Sequence, residues 1–273
     1  MFNNIKELTM KKITYSIIAL LSVATLAQAD IDTISDVEAK YSNKSTIEAQ
    51  KELKQSFNLG FSTTSGNTET LNANGKYDAS FITSGYDNQE LKVGFDTSAF
   101  FTENNSVKSD QEFTANLGLE QIIANGWLGY MGVNWLNNPD FKNYDSKTAI
   151  GIGLGKELYK DATQSLLFKL GTSYNILNYA NAQATDEFGA LNQYVEYHNQ
   201  LNKVSKFYFK AGAMENYDDM RHDYEVLSAV GVNVAVAQNL SLTLEAEVNY
   251  DNLPPVGFKK TDTKTIVRLG YNF

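Results

Sequence analysis

Two histidines and no cysteine bound the chemistry open to this chain of 273 residues. His198 lies in YVEYHNQLN, where Glu196, His198, Gln200 and Asn202 share one parity of an alternating segment. A histidine beside a carboxylate could serve as base for a serine nucleophile, the arrangement a lipid-cleaving enzyme at a membrane rim would use. Strand alternation turns that parity away from the face that would meet lipid, so an interior hydrogen-bonding role is the reading the spacing favours. His222 lies in DDMRHDYE, whose Asp218, Asp219 and Asp223 could gather calcium. Their spacing matches no calcium loop, and a solvated acidic loop is expected. With so few histidines and no thiol, a soft-metal site is not expected either. No catalytic residue, metal or cofactor is assigned.

Charge and leader narrow the setting. From Met10 the chain reads MKKITYSIIALLSVATLAQAD, with two lysines, an apolar run and Ala27-Gln28-Ala29 as a small-x-small cleavage site. This is the pattern of a secretory signal. Its apolar run is shorter than the roughly 20 residues that a spanning helix needs. Residues 1–29 are therefore expected to be an upstream extension plus signal peptide, with Met10 a candidate start, and residues 30–52 a periplasmic lead with a short helix or loose structure. The full chain carries a formal −9, and residues 1–29 hold three lysines against one glutamate, which leaves the remainder at −11. An acidic exported chain is a poor partner for nucleic acid. Export permits disulfides, but without cysteine the sheet must hold the fold unaided.

From residue 53 onward the period is two. In LSLTLEAEVNYD, Leu240, Leu242, Leu244, Ala246, Val248 and Tyr250 form one face, while Ser241, Thr243, Glu245, Glu247, Asn249 and Asp251 form the other. In TKTIVRLGYNF, Thr265, Val267, Leu269, Tyr271 and Phe273 oppose Lys264, Arg268, Gly270 and Asn272. WLGYMGVNW places Trp127 and Trp135 at the two ends of one face, as an aromatic girdle would. About twelve such segments occur, many longer than the five or six residues usual in soluble sheets. Alternate connections are short (IANG, YKDA, AQN) and long (NNPDFKNY, NYANAQATDEFGAL, ENYDDMRHD, NLPPVGFKKT). All three prolines, Pro139, Pro254 and Pro255, fall in the long ones, where no ladder N–H is lost. The pattern predicts an all-β fold, an antiparallel transmembrane β-barrel of about 12 strands over 53–273. An even count puts both termini on the periplasmic side, and the first strand should pair with the last, because hydrocarbon does not tolerate an unpaired edge.

The inward parity then carries the functional candidates: Glu196, His198, Glu245, Glu247, Asp251, Lys264 and Arg268, with Asn58 and Ser62. Carboxylates and cations on neighbouring strands can pair and plug the interior. Alternatively they leave a wet path whose acidic excess favours cations or small neutral solutes.

The first hairpin reads LGFSTTSGNTETLNANGKYDAS, with Ser65, Gly66, Asn67 and Thr68 at its turn. With the leader in front and Phe273 behind, the chain from Leu53 to Phe273 resembles the outer-membrane family called domain of unknown function 481 (DUF481), also described as salt-induced outer membrane proteins. The resemblance implies the outer membrane of a Gram-negative bacterium, with membrane lipid and the barrel assembly machinery as partners. In outer-membrane barrels generally that machinery reads a terminal Phe after alternating apolar residues, a pattern that Leu269, Tyr271 and Phe273 match. The family brings no established activity. Three readings stay open: a non-enzymatic barrel, either a narrow channel or an envelope-integrity component under salt stress; a lipid-modifying enzyme; or a surface binder acting through the 178–191 and 216–222 loops.

Overall fold

The structure is a computed structural model that describes residues 51–65, 70–103, 109–139, 143–180, 184–254 and 259–272. The expected signal peptide, nearly all of the lead, the turn residues Gly66, Asn67 and Thr68, and the terminal Phe273 lie outside the described residues. The chain forms twelve strands: β1 Lys54–Ser65, β2 Thr70–Ser84, β3 Glu90–Glu103, β4 Ser109–Ala124, β5 Trp127–Asn138, β6 Tyr144–Lys160, β7 Gln164–Tyr179, β8 Asp186–Gln200, β9 Ser205–Asn216, β10 Tyr224–Ala237, β11 Leu240–Asp251 and β12 Thr261–Asn272. Each pairs antiparallel with the next, and β12 pairs with β1 from Ser56↔Asn272 to Ser65↔Thr263, so the sheet is a closed barrel without an edge.

Burial is inverted relative to a soluble protein. Leu59, Phe95, Met131, Ile152, Leu170 and Leu244 are exposed on the outer wall, whereas Asp78, Lys169, Lys210 and Glu245 are buried inside. An apolar exterior around a polar interior is the arrangement that hydrocarbon outside the wall selects. Trp127 and Trp135 both face outward, near opposite ends of β5.

The two rims differ. At one rim the strands are joined by short turns. Asn125 and Gly126 both adopt positive φ (51° and 76°), the type I′ geometry that suits the twist of a two-residue hairpin. The β6–β7 turn is held by Asp161, whose Oδ1 accepts the backbone N–H groups of Thr163 and Gln164, each at 2.7 Å, and whose Oδ2 accepts the Tyr159 hydroxyl. At the other rim the β7–β8, β9–β10 and β11–β12 connections are longer, and the last two are tied together: Asn252 Nδ2 donates to the carbonyl of His222 at 2.9 Å. There Tyr217 folds back over the outer wall, its ring against Gly189 and its hydroxyl 3.0 Å from Thr172 Oγ1.

β8 departs from the alternation reading, which starts that strand near residue 192. Asp186–Leu191 instead continue the ladder against β7, with Asp186↔Leu177 and Ala190↔Ser173 in register. The glycine and acidic residues of DEFGA read as a loop, but Phe188 and Ala190 have an interior to fill, and burial outweighs local propensity.

Candidate functional site: the barrel lumen

Inward side chains divide the lumen into two arcs. The first comprises β11, β12 and β1–β4 and is polar over nearly its whole height. On β11 the inward series is Ser241, Thr243, Glu245 and Glu247, all buried. Glu245 Oε1 accepts Arg268 Nη1 at 3.0 Å and its Oε2 accepts the Tyr208 hydroxyl at 2.7 Å. Glu247 stands opposite Lys264 in register. Lys264 also reaches across the lumen to Glu112 on β4, at 3.7 Å, and Glu112 accepts Asn138 Nδ2 at 2.8 Å. Lys76 lies 3.8 Å from both Asp78 and Asp96, and Asp96 accepts Asn116 Nδ2 at 2.7 Å.

The second arc comprises β5–β10, and much of it is dry. Tyr144, Leu177, Phe188, Tyr194, Met214 and Leu227, with Ala190 and Ala229, form an apolar cluster inside the barrel, in the half nearer the long loops. Sequence reasoning missed this cluster. The available signal was parity: Phe188, Ala190 and Tyr194 share the face of Glu196 and His198. The charges of this arc are few and closely engaged. Lys169 Nζ lies 2.6 Å from Glu120 and 4.9 Å from the Tyr130 ring centroid, and Lys147 pairs with Glu225 at 2.9 Å. Tyr130 lies flat on the wall because Gly153 and Gly171 leave it room; a Cβ at either would sit 2.5 or 2.4 Å from its hydroxyl oxygen. Tyr208 uses Gly231 in the same way, at 2.3 Å.

The arcs also differ in charge. Among the described residues, the buried charges of the first are Asp78, Asp96, Glu112, Glu120, Glu245 and Glu247 against Lys76 and Arg268. Those of the second are Lys147, Lys169 and Lys210 against Glu196, beside His198. Two ion pairs, Lys264–Glu112 and Lys169–Glu120, join strands three or four places apart around the wall and so cross the lumen.

Of the residues singled out in the sequence, Glu196, His198, Glu245, Glu247 and Arg268 are buried inside the barrel, and Lys264 is partly buried among them. His198 Nε2 pairs with Glu196, and its ring lies 6.2 Å from that of Tyr208. Asp251 closes β11 at the rim, its Oδ1 accepting the Leu253 N–H at 2.9 Å. Leu269 and Tyr271 are exposed on the outer wall, and Ser65 ends β1. His222 is solvent-exposed, 2.7 Å from Asp219. No group of three or more histidine or acidic side chains among the described residues could hold a metal ion.

Comparison with known structures yields outer-membrane barrels. An outer membrane channel from Pseudomonas putida F1 superposes with a TM-score of 0.52 at 9% identity, covering 84% of this chain and 97% of that one. The NanC porin gives 0.51 at 9% identity, covering 79% and 98%. At such identity the likeness is one of fold. No curated protein sequence matches the chain. Residues 57–273 match the family described as protein of unknown function, DUF481, and with most of its length inside that match this β-barrel chain belongs to the DUF481 family.

Proposed function

We propose that the chain is a non-enzymatic barrel working as a narrow channel for small cations and small solutes, closed in the present conformation by ion pairs that span the lumen. The observation that carries this reading is the composition of the lumen lining: a charged, hydrogen-bonding wall runs from rim to rim along β11, and such a lining can be hydrated. Ion pairs offset the desolvation of their charges, and water that reaches them replaces the same interactions at little net loss. Glu245 and Glu247 are the residues proposed to set selectivity. The short-turn rim and both chain ends are assigned to the periplasm, and Leu269, Tyr271 and Phe273 to recognition by the assembly machinery. A lipid-modifying enzyme finds less support, because His198 points into the lumen and is engaged by Glu196. One observation favours a second reading, a wall component that strengthens the envelope: the same pairs brace strands three or four places apart around the barrel.

Single-channel recording of the refolded mature protein in planar bilayers, under a NaCl gradient, separates the two. Discrete steps with a cation-directed reversal potential, reduced by Glu245→Gln and Glu247→Gln, support the channel. A folded, inserted barrel that never conducts leaves the bracing role.

A further inference from the structure

We infer that conduction follows one side of the lumen, the polar arc along β11, β12, β1 and β2, and that the β5–β10 side stays dry and closed while ions pass. The inference rests on the channel reading and names the route and the ion class within it.

The asymmetry of unmet hydrogen bonding is the basis. Among the described residues, five buried side-chain oxygens lack a hydrogen-bond partner: Asn58 Oδ1, Asp78 Oδ1, Ser241 Oγ, Asn249 Oδ1 and Asn175 Oδ1. The first four stand on β1, β2 and β11, and only Asn175 stands on the other arc. Asp78 Oδ1 has a long 3.8 Å ion pair to Lys76 in place of a hydrogen bond. A buried polar atom without a partner is costly, and water is the usual means of relieving it. Widening the lumen beside β11 therefore supplies partners to oxygens that lack them. Widening it beside β6–β10 exposes Phe188, Tyr194, Met214 and Leu227 to water, which is unfavourable. The easier opening is on the polar side.

Position along the wall agrees with a route. Ser241 lies near the short-turn end of β11 and Asn249 near its long-loop end, with Glu245 and Glu247 between them on the same face. Asn58 and Ser241 converge on Gly270, whose hypothetical Cβ would lie 2.3 Å from Asn58 Oδ1 and 2.8 Å from Ser241 Oγ. Glycine there keeps the wall thin where polar atoms of three neighbouring strands meet. Asp96 on β3 and Glu112 and Glu120 on β4, beside this route, give the polar arc an excess of buried carboxylates that selects cations, while the buried lysines of the opposite side repel them away from the dry wall.

Because the chain has no cysteine, single cysteines test the route directly. Ser241→Cys and Asn249→Cys mark the polar arc, and Ala190→Cys and Ala229→Cys mark the dry one. Each is recorded in planar bilayers during addition of a membrane-impermeant cationic methanethiosulfonate, with heat-modifiable gel migration confirming that the barrel has folded; Asn58→Cys stands in if either polar-arc variant fails to fold. The expected result is loss of most of the current at positions 241 and 249, with the currents of the Ala190 and Ala229 variants unchanged. A conducting barrel blocked through position 190 or 229 as readily as through 241 overturns the route and leaves the channel reading intact. A folded wild-type barrel that never conducts overturns the channel reading and the route with it.

Discussion

On β11 the inward residues run Ser241, Thr243, Glu245, Glu247; on β8 they run Phe188, Ala190, Asn192, Tyr194, Glu196, His198, apolar towards the long loops and polar towards the short turns. Both strands face lipid on one side and the same lumen on the other, yet one contributes hydrogen-bonding groups along its length and the other contributes a small hydrophobic core. A closed barrel thus has two ways to fill its interior, and this chain uses both, side by side. The apolar arc gains from burial and packing and is hard to wet. The polar arc is held by paired charges whose replacement by water changes little. Hydrophobic packing and polar pairing are thereby assigned to different strands.

The largest expected effect tests the claim that charges on the dry side depend on their partners. Glu120→Ala removes the carboxylate 2.6 Å from the buried Lys169 Nζ and should destabilise the barrel by about 3–5 kcal/mol. Asp96→Ala should cost clearly less, because Lys76 retains Asp78. The urea midpoint of the barrel in liposomes measures both, and equal losses would break the contrast. Next, Phe188→Ala should cost about 3–5 kcal/mol, as removal of a packed ring does. Ser241→Ala, which deletes an oxygen that has no partner, should be near neutral by the same measurement. A smaller effect concerns the contact between arcs. Gly231→Ala drives a methyl into Tyr208 and weakens its hydrogen bond to Glu245, costing about 1–3 kcal/mol. That cost should largely vanish in a Tyr208→Ala background, as a double-mutant cycle would show.

The smallest prediction lies outside the lumen. The Tyr159 hydroxyl and then the N–H groups of Thr163 and Gln164 hold the Asp161 carboxyl below its usual range. A depressed folded-state pKa contributes stability above the unfolded value and loses it as pH falls toward the folded one. The difference in unfolding midpoint between wild type and Asp161→Asn should therefore be constant near neutrality and shrink only below about pH 3.9, the unperturbed carboxylate value. A difference already lost at mildly acid pH would contradict the hydrogen-bonded turn.

The fold was legible because lipid and lumen impose opposite demands on alternate residues. Leu240 to Asp251 shows that alternation without interruption, and Trp127 and Trp135 bracket an outward face. The lumen was legible only in part. Charged residues such as Glu245, Arg268 and Lys264 declare an inward face by themselves, since lipid excludes them. Tyr194, Met214 and Leu227 carry no such mark, because an apolar side chain suits either face and only the register of its neighbours decides. Partners were legible only between neighbouring strands, as for Glu245 and Arg268: nothing near Lys169 in sequence names Glu120, and pairs between strands three or four places apart exist only through the tilt and curvature of the wall.

The pair between Lys264 and Glu112 has a consequence for assembly. Between β4 and β12 around the wall stand β1, β2 and β3, so the two side chains meet only once the last strand has docked on the first. Glu112 is in place early in the chain, and its cation arrives on the final strand. Before closure each end has only its neighbours on its own side of the gap, Glu247 beside Lys264 and Asn138 beside Glu112. Contacts of such long range form late. The final seam is thus registered twice, by the ladder between β12 and β1 and by an ion pair that reaches past it to β4, and a shifted ladder that still paired backbone groups would misplace the second.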